Sequence, residues 1–124
     1  MEKEKKEKIK IYLRSAEDQY AIYNLHKKQF PGRVIILIVP DKKGPVMLKK
    51  DIYICPRDKT FQDVMMQIRK NIDIKDHEGL YYFIGNSLIS AGSSMGTLDD
   101  KYGLDDDFLR ITICKENMFG AILQ

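Results

Sequence analysis

The residues with the clearest chemical potential lie at the C-terminal end of the chain. An apolar, strand-like run over residues 108–114 is followed by a polar spacer, then by Phe119 and Gly120, and finally by four residues, 121–124. Cleavage before Ala121 would leave a glycine carboxylate that other enzymes could join to an amine. Glycine suits such chemistry because it has no side chain to obstruct a narrow enzyme channel, and its backbone is unusually free. A terminal glycine is also common where a chain end frays, so both interpretations remain open for this motif alone.

The other residues that could do chemistry do not fall into a catalytic or metal-binding pattern. The five aspartates between residues 99 and 107 lack the spacing of a calcium-binding loop, so we expect a solvated acidic loop. His26 and His77 stand far apart, without cysteines or carboxylates at zinc-ligand spacing. Cys55 and Cys114 lie in strand-like runs, where a thiol is buried rather than nucleophilic. We therefore expect no enzyme activity, no metal and no cofactor.

Length and composition are those of one globular domain. A chain of 124 residues suits a single core, and 44% hydrophobic with 31% charged residues is typical of a folded, soluble protein. No apolar run approaches the ~18 residues of a membrane-spanning helix. The formal charge of +3 is too small to indicate nucleic-acid binding, and aromatic residues 81–83 lack the basic neighbours of an RNA-binding strand. Two cysteines without a disulfide framework indicate reduced thiols in a cytosolic protein.

The N-terminal part of the chain divides into a charged leader and a helix. Residues 1–14 begin with alternating glutamates and lysines, which could stay solvated or form a helix that contacts a partner or a membrane. Residues 16–29 combine helix formers with apolar side chains at three- and four-residue intervals, and a Phe-Pro-Gly sequence ends this helix. We expect the folded domain to span residues 15–116 and a flexible tail to span residues 117–124.

Two apolar segments predict an antiparallel pair of strands. The β-branched run over residues 33–39 is continuous, as in a central strand that is covered on both faces. Turn-forming residues follow, and the chain returns as a second strand over residues 51–55, directly before Pro56. A proline at that position suits an edge strand. An open edge exposes unpaired backbone groups, so this strand could pair with an extended peptide unless the N-terminal helices cover it.

The rest of the pattern completes an α+β fold. An apolar stripe over residues 60–72 predicts a long helix, and Thr60 with Asp63 resembles a capping box. A third strand, a short helical turn and a final alternating strand follow, over residues 80–84, 95–102 and 108–114. This order is that of the ubiquitin-like β-grasp, with a four-stranded mixed sheet. An additional N-terminal helical segment would pack against the sheet face opposite the long helix.

With these elements in place, the sequence resembles the autophagy-related protein eight family of ubiquitin-like modifiers, which includes GABA-receptor-associated protein and microtubule-associated light chain three. The similarity runs from about Tyr20 to Gly120, and its motifs follow the family's order. These motifs are Lys27–Val34 before the first strand, Lys49–Pro56 around the second, Ile68–Lys70 at the end of the long helix, Ser94–Leu98, and Asp107–Leu109 with Glu116–Gly120. Their common order makes the resemblance specific.

The resemblance implies a modifier that carries out no reaction itself. A dedicated cysteine protease would cut after Gly120, and the processing and conjugation site would comprise Phe119, Gly120 and Ala121. Activating and conjugating enzymes would then pass the glycine through thioesters to the amine of phosphatidylethanolamine on autophagosomal membranes. Before conjugation the protein would be a cytoplasmic monomer, with no nucleic-acid partner.

The resemblance also implies a peptide-binding surface beside the second strand, for receptors that carry an aromatic-x-x-aliphatic motif. By position, the aromatic pocket would be lined by Ile35, Lys50, Ile54 and Phe108, and the aliphatic pocket by Tyr53, Cys55, Val64 and Ile68. Ile52 would flank the peptide, and Arg69 would meet acidic residues of the motif.

Some positions depart from the family pattern. Lys59 and Gln67 replace apolar residues of the second pocket, and Ile52 replaces a lysine beside the peptide. We therefore expect the fold and the tail chemistry to transfer more safely than the receptor repertoire. Two alternatives remain open. One is a protein-conjugated modifier of the autophagy-related protein twelve type, which usually ends directly on Trp-Gly; the other is a non-conjugated β-grasp domain with an inert tail.

Overall fold

The structure is a computed structural model that describes residues 10–43 and 45–116. The helices of this part are a short 3-10 helix (Ile11–Leu13), α1 (Ala16–Gln29), α2 (Phe61–Lys70) and α3 (Met95–Tyr102). The strands are β1 (Val34–Pro40), β2 (Met47–Leu48), β3 (Ile52–Cys55), β4 (Ile72–Asp73), β5 (Leu80–Ile84), β6 (Ser87–Leu88) and β7 (Leu109–Lys115). The longer elements follow the order expected from the sequence.

A mixed sheet forms the centre of the domain. Its strands lie in the order β3-β1-β7-β5-β6, with β1 and β7 parallel and the other pairs antiparallel. This is the ubiquitin-like β-grasp, so the predicted α+β fold class is confirmed. The sheet has five strands rather than the expected four, because β6 follows β5 through a tight turn in which Gly85 has a φ of +60°. A two-residue strand has no periodicity that a sequence could reveal.

Helix α2 packs against one face of the sheet because its apolar residues form a stripe. Phe61, Val64 and Ile68 are all buried, and their three- and four-residue spacing puts them on one side of the helix. Thr60 and Asp63 form the expected capping box: the Thr60 hydroxyl accepts from the Asp63 N–H, and the Asp63 carboxylate accepts from the Thr60 N–H. This exchange satisfies backbone donors that the first turn of a helix leaves free.

Helix α2 ends two residues before the expected position. Asn71 caps it by donating its backbone N–H to the carbonyl oxygen of Ile68 at 2.9 Å. Ile72 leaves the helix and pairs with Leu48, so β2 and β4 form a separate two-stranded sheet. Both side chains are buried. The apolar stripe that suggested a longer helix therefore continues into a strand.

The other face of the sheet is covered by α1, as expected for the additional N-terminal helix. Tyr23 of α1 packs edge-on against Phe108, with 5.4 Å between the ring centroids. These two residues join Ile35 and Leu37 in an apolar cluster. All residues of β1 from 34 to 38 are buried. The strand is thus covered on both faces, as its continuous apolar run predicted.

Part of the acidic region is paired with arginines instead of being only solvated. Arg57 donates to the carboxylates of Asp99, at 3.0 Å, and Asp100, which both belong to α3. Arg110 pairs with Asp107 at 3.0 Å. The expectation of a solvated acidic loop is therefore wrong for Asp99 and Asp107, whose side chains are only about a third exposed. The Asp100 side chain stays largely solvated, at 75% exposed, although it also pairs with Arg57.

Replacement of Tyr82 by phenylalanine should raise the free energy of unfolding. Its ring packs edge-on against Phe61 at 5.2 Å between centroids, but its buried hydroxyl has no hydrogen-bond partner among the described residues. Because a buried unpaired polar group costs about 1–3 kcal/mol, Tyr82→Phe should stabilise the protein by about 1 kcal/mol and raise Tm by about 3–5 °C. Thermal unfolding measures this. Tyr53→Phe is the matched control: the Tyr53 hydroxyl donates to the Lys50 carbonyl at 3.4 Å, so its loss should not stabilise.

Candidate functional site

Strand β3 lies at an edge of the sheet and leaves alternate backbone groups facing outward. Only β1 pairs with it among the described residues. The Ile38 N–H donates to the carbonyl oxygen of Asp51, the residue before β3, at 2.7 Å. Since backbone groups alternate in direction along an antiparallel strand, those of Tyr53 face β1, whereas those of Ile52 and Ile54 face away from the sheet. The backbone groups of these two residues are the ones that an added strand would meet.

The side chains of β3 point to opposite faces of the sheet. Tyr53 and Cys55 belong to the apolar core beneath α2, and Ile52 and Ile54 pack against the cluster beneath α1. A strand added beside β3 would have the same alternation. Two of its side chains therefore reach opposite faces of the sheet only when their residue numbers differ by an odd number. An aromatic-x-x-aliphatic motif has its two anchors three positions apart and meets this condition.

A groove of about 310 Å³ lies between β3 and α2. It is lined by Tyr53, Ile54, Cys55, Pro56, Lys59, Asp63, Val64, Met66 and Gln67. Three of the residues assigned to the aliphatic pocket, Tyr53, Cys55 and Val64, therefore come together here. The fourth, Ile68, is 0% exposed and does not line the groove. Pro56, Asp63 and Met66 also line the groove and were not among the predicted site residues. Met66 and Gln67 lie three and four residues after Asp63 on the exposed side of α2, so this helical spacing would have pointed to Asp63 and Met66.

The floor of this groove is apolar and uncharged. Burial raises the pKa of the Cys55 thiol to about 11, with the Asp99 carboxylate adding to the effect, so the thiol stays protonated at neutral pH. Burial likewise raises the pKa of Tyr53 to about 12. The Lys50 ammonium lies 4.9 Å from the centroid of the Tyr53 ring. A neutral floor of this kind fits an aliphatic side chain.

The polar groups of the groove come from the turn before α2 and from the exposed side of that helix. Lys59 is exposed. The Asp63 carboxylate is already engaged, because it accepts from the Thr60 N–H and hydroxyl at 3.3 and 3.2 Å. Gln67 also lines the groove, and its backbone carbonyl accepts a hydrogen bond from the Asn71 side-chain amide at 3.0 Å. The two departures from the family pattern, Lys59 and Gln67, thus make the groove more polar.

The residues assigned to the aromatic pocket are brought together only in part. Ile35 and Phe108 share one cluster and are 3% and 2% exposed, and the half-buried Ile54 packs against them. The fourth residue, Lys50, extends over Tyr53 instead. The aromatic side of β3 is therefore closed in this structure.

The remaining assigned residues lie away from the groove or outside the described residues. The Arg69 guanidinium donates to the carbonyl oxygens of Glu78, at 3.0 Å, and Asp76, at 3.5 Å, and so supports the loop before β5. Its contact with acidic motif residues stays a prediction. The processing residues 119–121 lie outside the described residues, after the end of β7 at Lys115.

Ile68→Ala should report on stability and not on peptide contact. Ile68 is fully buried beneath α2, and truncation of such a side chain costs about 2–5 kcal/mol because it leaves a cavity. Urea unfolding should show that loss. Gln67→Ala, one residue earlier at the groove, is the matched control and should leave the free energy of unfolding nearly unchanged. Equal free energies of unfolding for the two variants would contradict the burial of the Ile68 side chain.

The described residues contain no cluster of three or more His, Cys, Asp or Glu side chains that could hold a metal ion. None of the helices within residues 10–43 and 45–116 is long and apolar enough to cross a membrane. The arrangement around β3 can instead hold an extended peptide, through outward-facing backbone groups and one open apolar groove.

Comparison with known proteins places this geometry in a family. The sequence model described as "Autophagy protein Atg8 ubiquitin like" matches residues 13–120. The crystal structure of Trypanosoma brucei ATG8 superposes with a TM-score of 0.72 at 17% identity, covering 85% of this chain and 91% of that one. Plasmodium falciparum Atg8, solved in complex with a Plasmodium falciparum Atg3 peptide, gives a TM-score of 0.67 at 15% identity, covering 81% and 89% of the two chains. At these identities the two structures support the fold.

Proposed function

The chain belongs to the Atg8 family of ubiquitin-like autophagy proteins, and from this premise we propose that it is a modifier that is trimmed after Gly120 and conjugated to phosphatidylethanolamine. In the cytoplasm it is a monomer that awaits conjugation; on autophagosomal membranes it recruits receptors. The domain contributes a carboxylate and a docking surface, whereas other proteins carry out the reactions.

The position of Gly120 in the family match supports the conjugation step. The match ends at Gly120, and residues 121–124 follow it. A cysteine protease hydrolyses the amide between Gly120 and Ala121, which frees the glycine carboxylate. An activating enzyme joins this carboxylate to the AMP part of ATP and releases pyrophosphate, and its cysteine thiol then displaces AMP to form a thioester. The glycine passes to a cysteine of the conjugating enzyme by thiol exchange, and the amine of phosphatidylethanolamine displaces that thiol to form an amide.

The structural comparison supports one partner of this sequence of steps. The Plasmodium relative was solved with a peptide of Atg3. We infer that this chain also binds a peptide segment of its own conjugating enzyme. Such a segment would bring the conjugating enzyme to the same domain that supplies the glycine.

The outward-facing edge of β3, together with the groove beside it, is the observation that carries the receptor-binding part of the proposal. A receptor segment adds as a strand and bonds to the backbone of Ile52 and Ile54. Its aliphatic residue enters the groove formed by Tyr53, Cys55 and Val64. Its aromatic residue, three positions away, lies on the face covered by α1. Ordering an extended peptide costs entropy, so we expect affinity on the order of micromolar.

Titration with a labelled aromatic-x-x-aliphatic peptide tests this surface. The backbone amide signals of Ile52, Ile54 and Ile68 should shift during the titration, because they lie along the edge strand and the helix beside it. A peptide with both anchors replaced by alanine is the control. Shifts confined to other parts of the domain would refute the proposed receptor site.

The mass of the protein recovered from its own cells tests the conjugation. The expected product ends at Gly120 and carries phosphatidylethanolamine, which phospholipase removes. A single larger protein conjugate that resists phospholipase would indicate the protein-conjugated type instead. A product that retains Gln124 and is joined to nothing would show that the tail is inert and that the proposal is wrong.

A further inference from the structure

The apolar surface that an aromatic motif residue needs is already covered by the protein's own chain. Ile35 and Phe108 are 3% and 2% exposed. The half-buried side chains packed against their cluster include Ile11 and Tyr12 of the 3-10 helix, as well as Ile54. An aromatic side chain buries about 150–250 Å² when it is enclosed. Part of this cover must therefore move before such a side chain can enter.

Tyr12 contacts the apolar clusters on both faces of the sheet. It packs against both apolar clusters, the one beneath α2 and the one beneath α1. Because these clusters lie on opposite faces of the sheet, Tyr12 must reach around the margin of the sheet. Its hydrogen bond to Asp51 places this margin at the start of β3. The 3-10 helix thus lies against β1 and reaches the start of β3, the strand to which a receptor strand would be added, through Tyr12.

A buried carboxylate holds this segment to the sheet. The Tyr12 N–H donates to the Asp51 carboxylate at 3.0 Å. Asp51 is 5% exposed. Its carbonyl oxygen accepts from the Ile38 N–H at 2.7 Å, so its backbone is fixed to β1 while its side chain reaches the N-terminal segment. A hydrogen bond to a charged acceptor in such a place is among the stronger ones in proteins.

The rest of the segment is held less firmly. Lys10 donates through its ammonium to the Lys49 carbonyl at 2.6 Å, and Gln19 donates through its side-chain amide to the Ile11 carbonyl at 3.0 Å. The 3-10 helix itself contains no buried residue, whereas α1 buries Tyr23. Short elements with little buried surface open locally at low cost. This segment, and not α1, is the part of the cover that can leave.

We propose that residues 10–13, the N-terminal latch, regulate receptor binding by closing the aromatic side of β3. The inference rests on the proposed function, because it concerns the same peptide-binding edge. With the latch closed, Ile11 and Tyr12 occupy the place that an aromatic motif residue requires. Asp51 sets the fraction of molecules in which the latch is open. The measured affinity equals the affinity of the open form reduced by that fraction.

Two substitutions in the full chain open the latch by different routes. Asp51→Ala removes the acceptor for the Tyr12 N–H, and Tyr12→Ala removes the side chain that covers the edge. The probe is a fluorescein-labelled peptide that carries Trp-x-x-Leu after two aspartates. Asp51→Ala should bind it about tenfold more tightly than the wild type, the lower range expected for a lost hydrogen bond to a charged group. Tyr12→Ala keeps that hydrogen bond, because its donor is the backbone N–H, and should also bind the probe more tightly than the wild type because the covering side chain is gone. Asp73→Ala, which removes an exposed carboxylate of β4, is the matched control and should bind as the wild type does.

Amide hydrogen exchange separates opening of the latch from unfolding. In Asp51→Ala without peptide, the amides of Tyr12 and Leu13 should exchange faster while those of β1 stay protected. If β1 loses protection, Tyr12→Ala decides the question. If the folded variants bind the probe no more tightly than the wild type, the proposed latch is refuted, whereas the proposed receptor site is not. A probe that binds neither the wild type nor the variants overturns the receptor site and the latch together.

Discussion

Gly120→Ala should leave the protein at its full length and free of membranes. The added methyl group narrows the fit in an enzyme channel shaped for glycine and removes backbone conformations that only glycine adopts freely. A misplacement of about 1 Å at a reacting bond can cost about 100-fold in rate, so we expect trimming to fall by about that factor. The mass of the C-terminus and the fraction of the protein on membranes measure the two consequences.

The matched control is another glycine-to-alanine change, at Gly92. A Cβ atom at Gly92 would meet no atom within 4 Å, so Gly92→Ala should be trimmed and conjugated normally. A chain that is produced ending at Gly120 removes the need for the protease. It should reach membranes, whereas the same chain ending in alanine should not, which separates conjugation from trimming. If Gly120→Ala collects on membranes as the wild type does, lipid conjugation through Gly120 is refuted.

The main elements of the fold were predictable because each had a local signal of sufficient length. The bounds of α1 follow from its apolar spacing and from the Phe-Pro-Gly sequence that ends it, and the bounds of α3 agree with the expected short helix. The continuous apolar run of β1 indicated burial on both faces, as observed. The two-residue strands β2, β4 and β6 exist through pairing alone, so no local pattern could reveal them. The early end of α2 has the same origin, because pairing with Leu48 removes Ile72 from the helix.

The features of the site that depend on the position of β3 in the sheet were predictable. The features that depend on which residues the N-terminal segment buries were not. Pro56 indicated that the preceding strand lies at an edge, and β3 does lie there. Alternation along that strand then separates Tyr53 from Ile54. The burial of Ile35 and Phe108, in contrast, depends on where the N-terminal segment packs. The bond from Tyr12 to Asp51 joins residues 39 positions apart, and no short pattern predicts such a contact.

Ile54→Pro should abolish strand addition while the domain stays folded. The N–H of Ile54 faces away from β1, so a proline there removes no hydrogen bond of the sheet, and proline is tolerated on edge strands for this reason. The same N–H is one that a receptor strand would use, and the proline ring occupies the space of the incoming backbone. We expect the affinity for an aromatic-x-x-aliphatic peptide to fall by at least about tenfold, which corresponds to ~1.4 kcal/mol. Peptide titration measures this, and thermal unfolding checks the fold.

Ile54→Ala is the control that isolates the backbone. It also loses the isoleucine side chain from the face beneath α1 but keeps the N–H, so the difference between the two variants reports the hydrogen bond and the space beside it. If the receptor is held only by pockets, the two variants should bind equally well, and strand addition would be contradicted. If the backbone of β3 carries the interaction, the proline variant should lose much more binding than the alanine variant, which loses only the side-chain contacts of Ile54. The receptor repertoire could then vary with Lys59 and Gln67 at the groove, while the mode of binding would depend on β3 remaining an open edge.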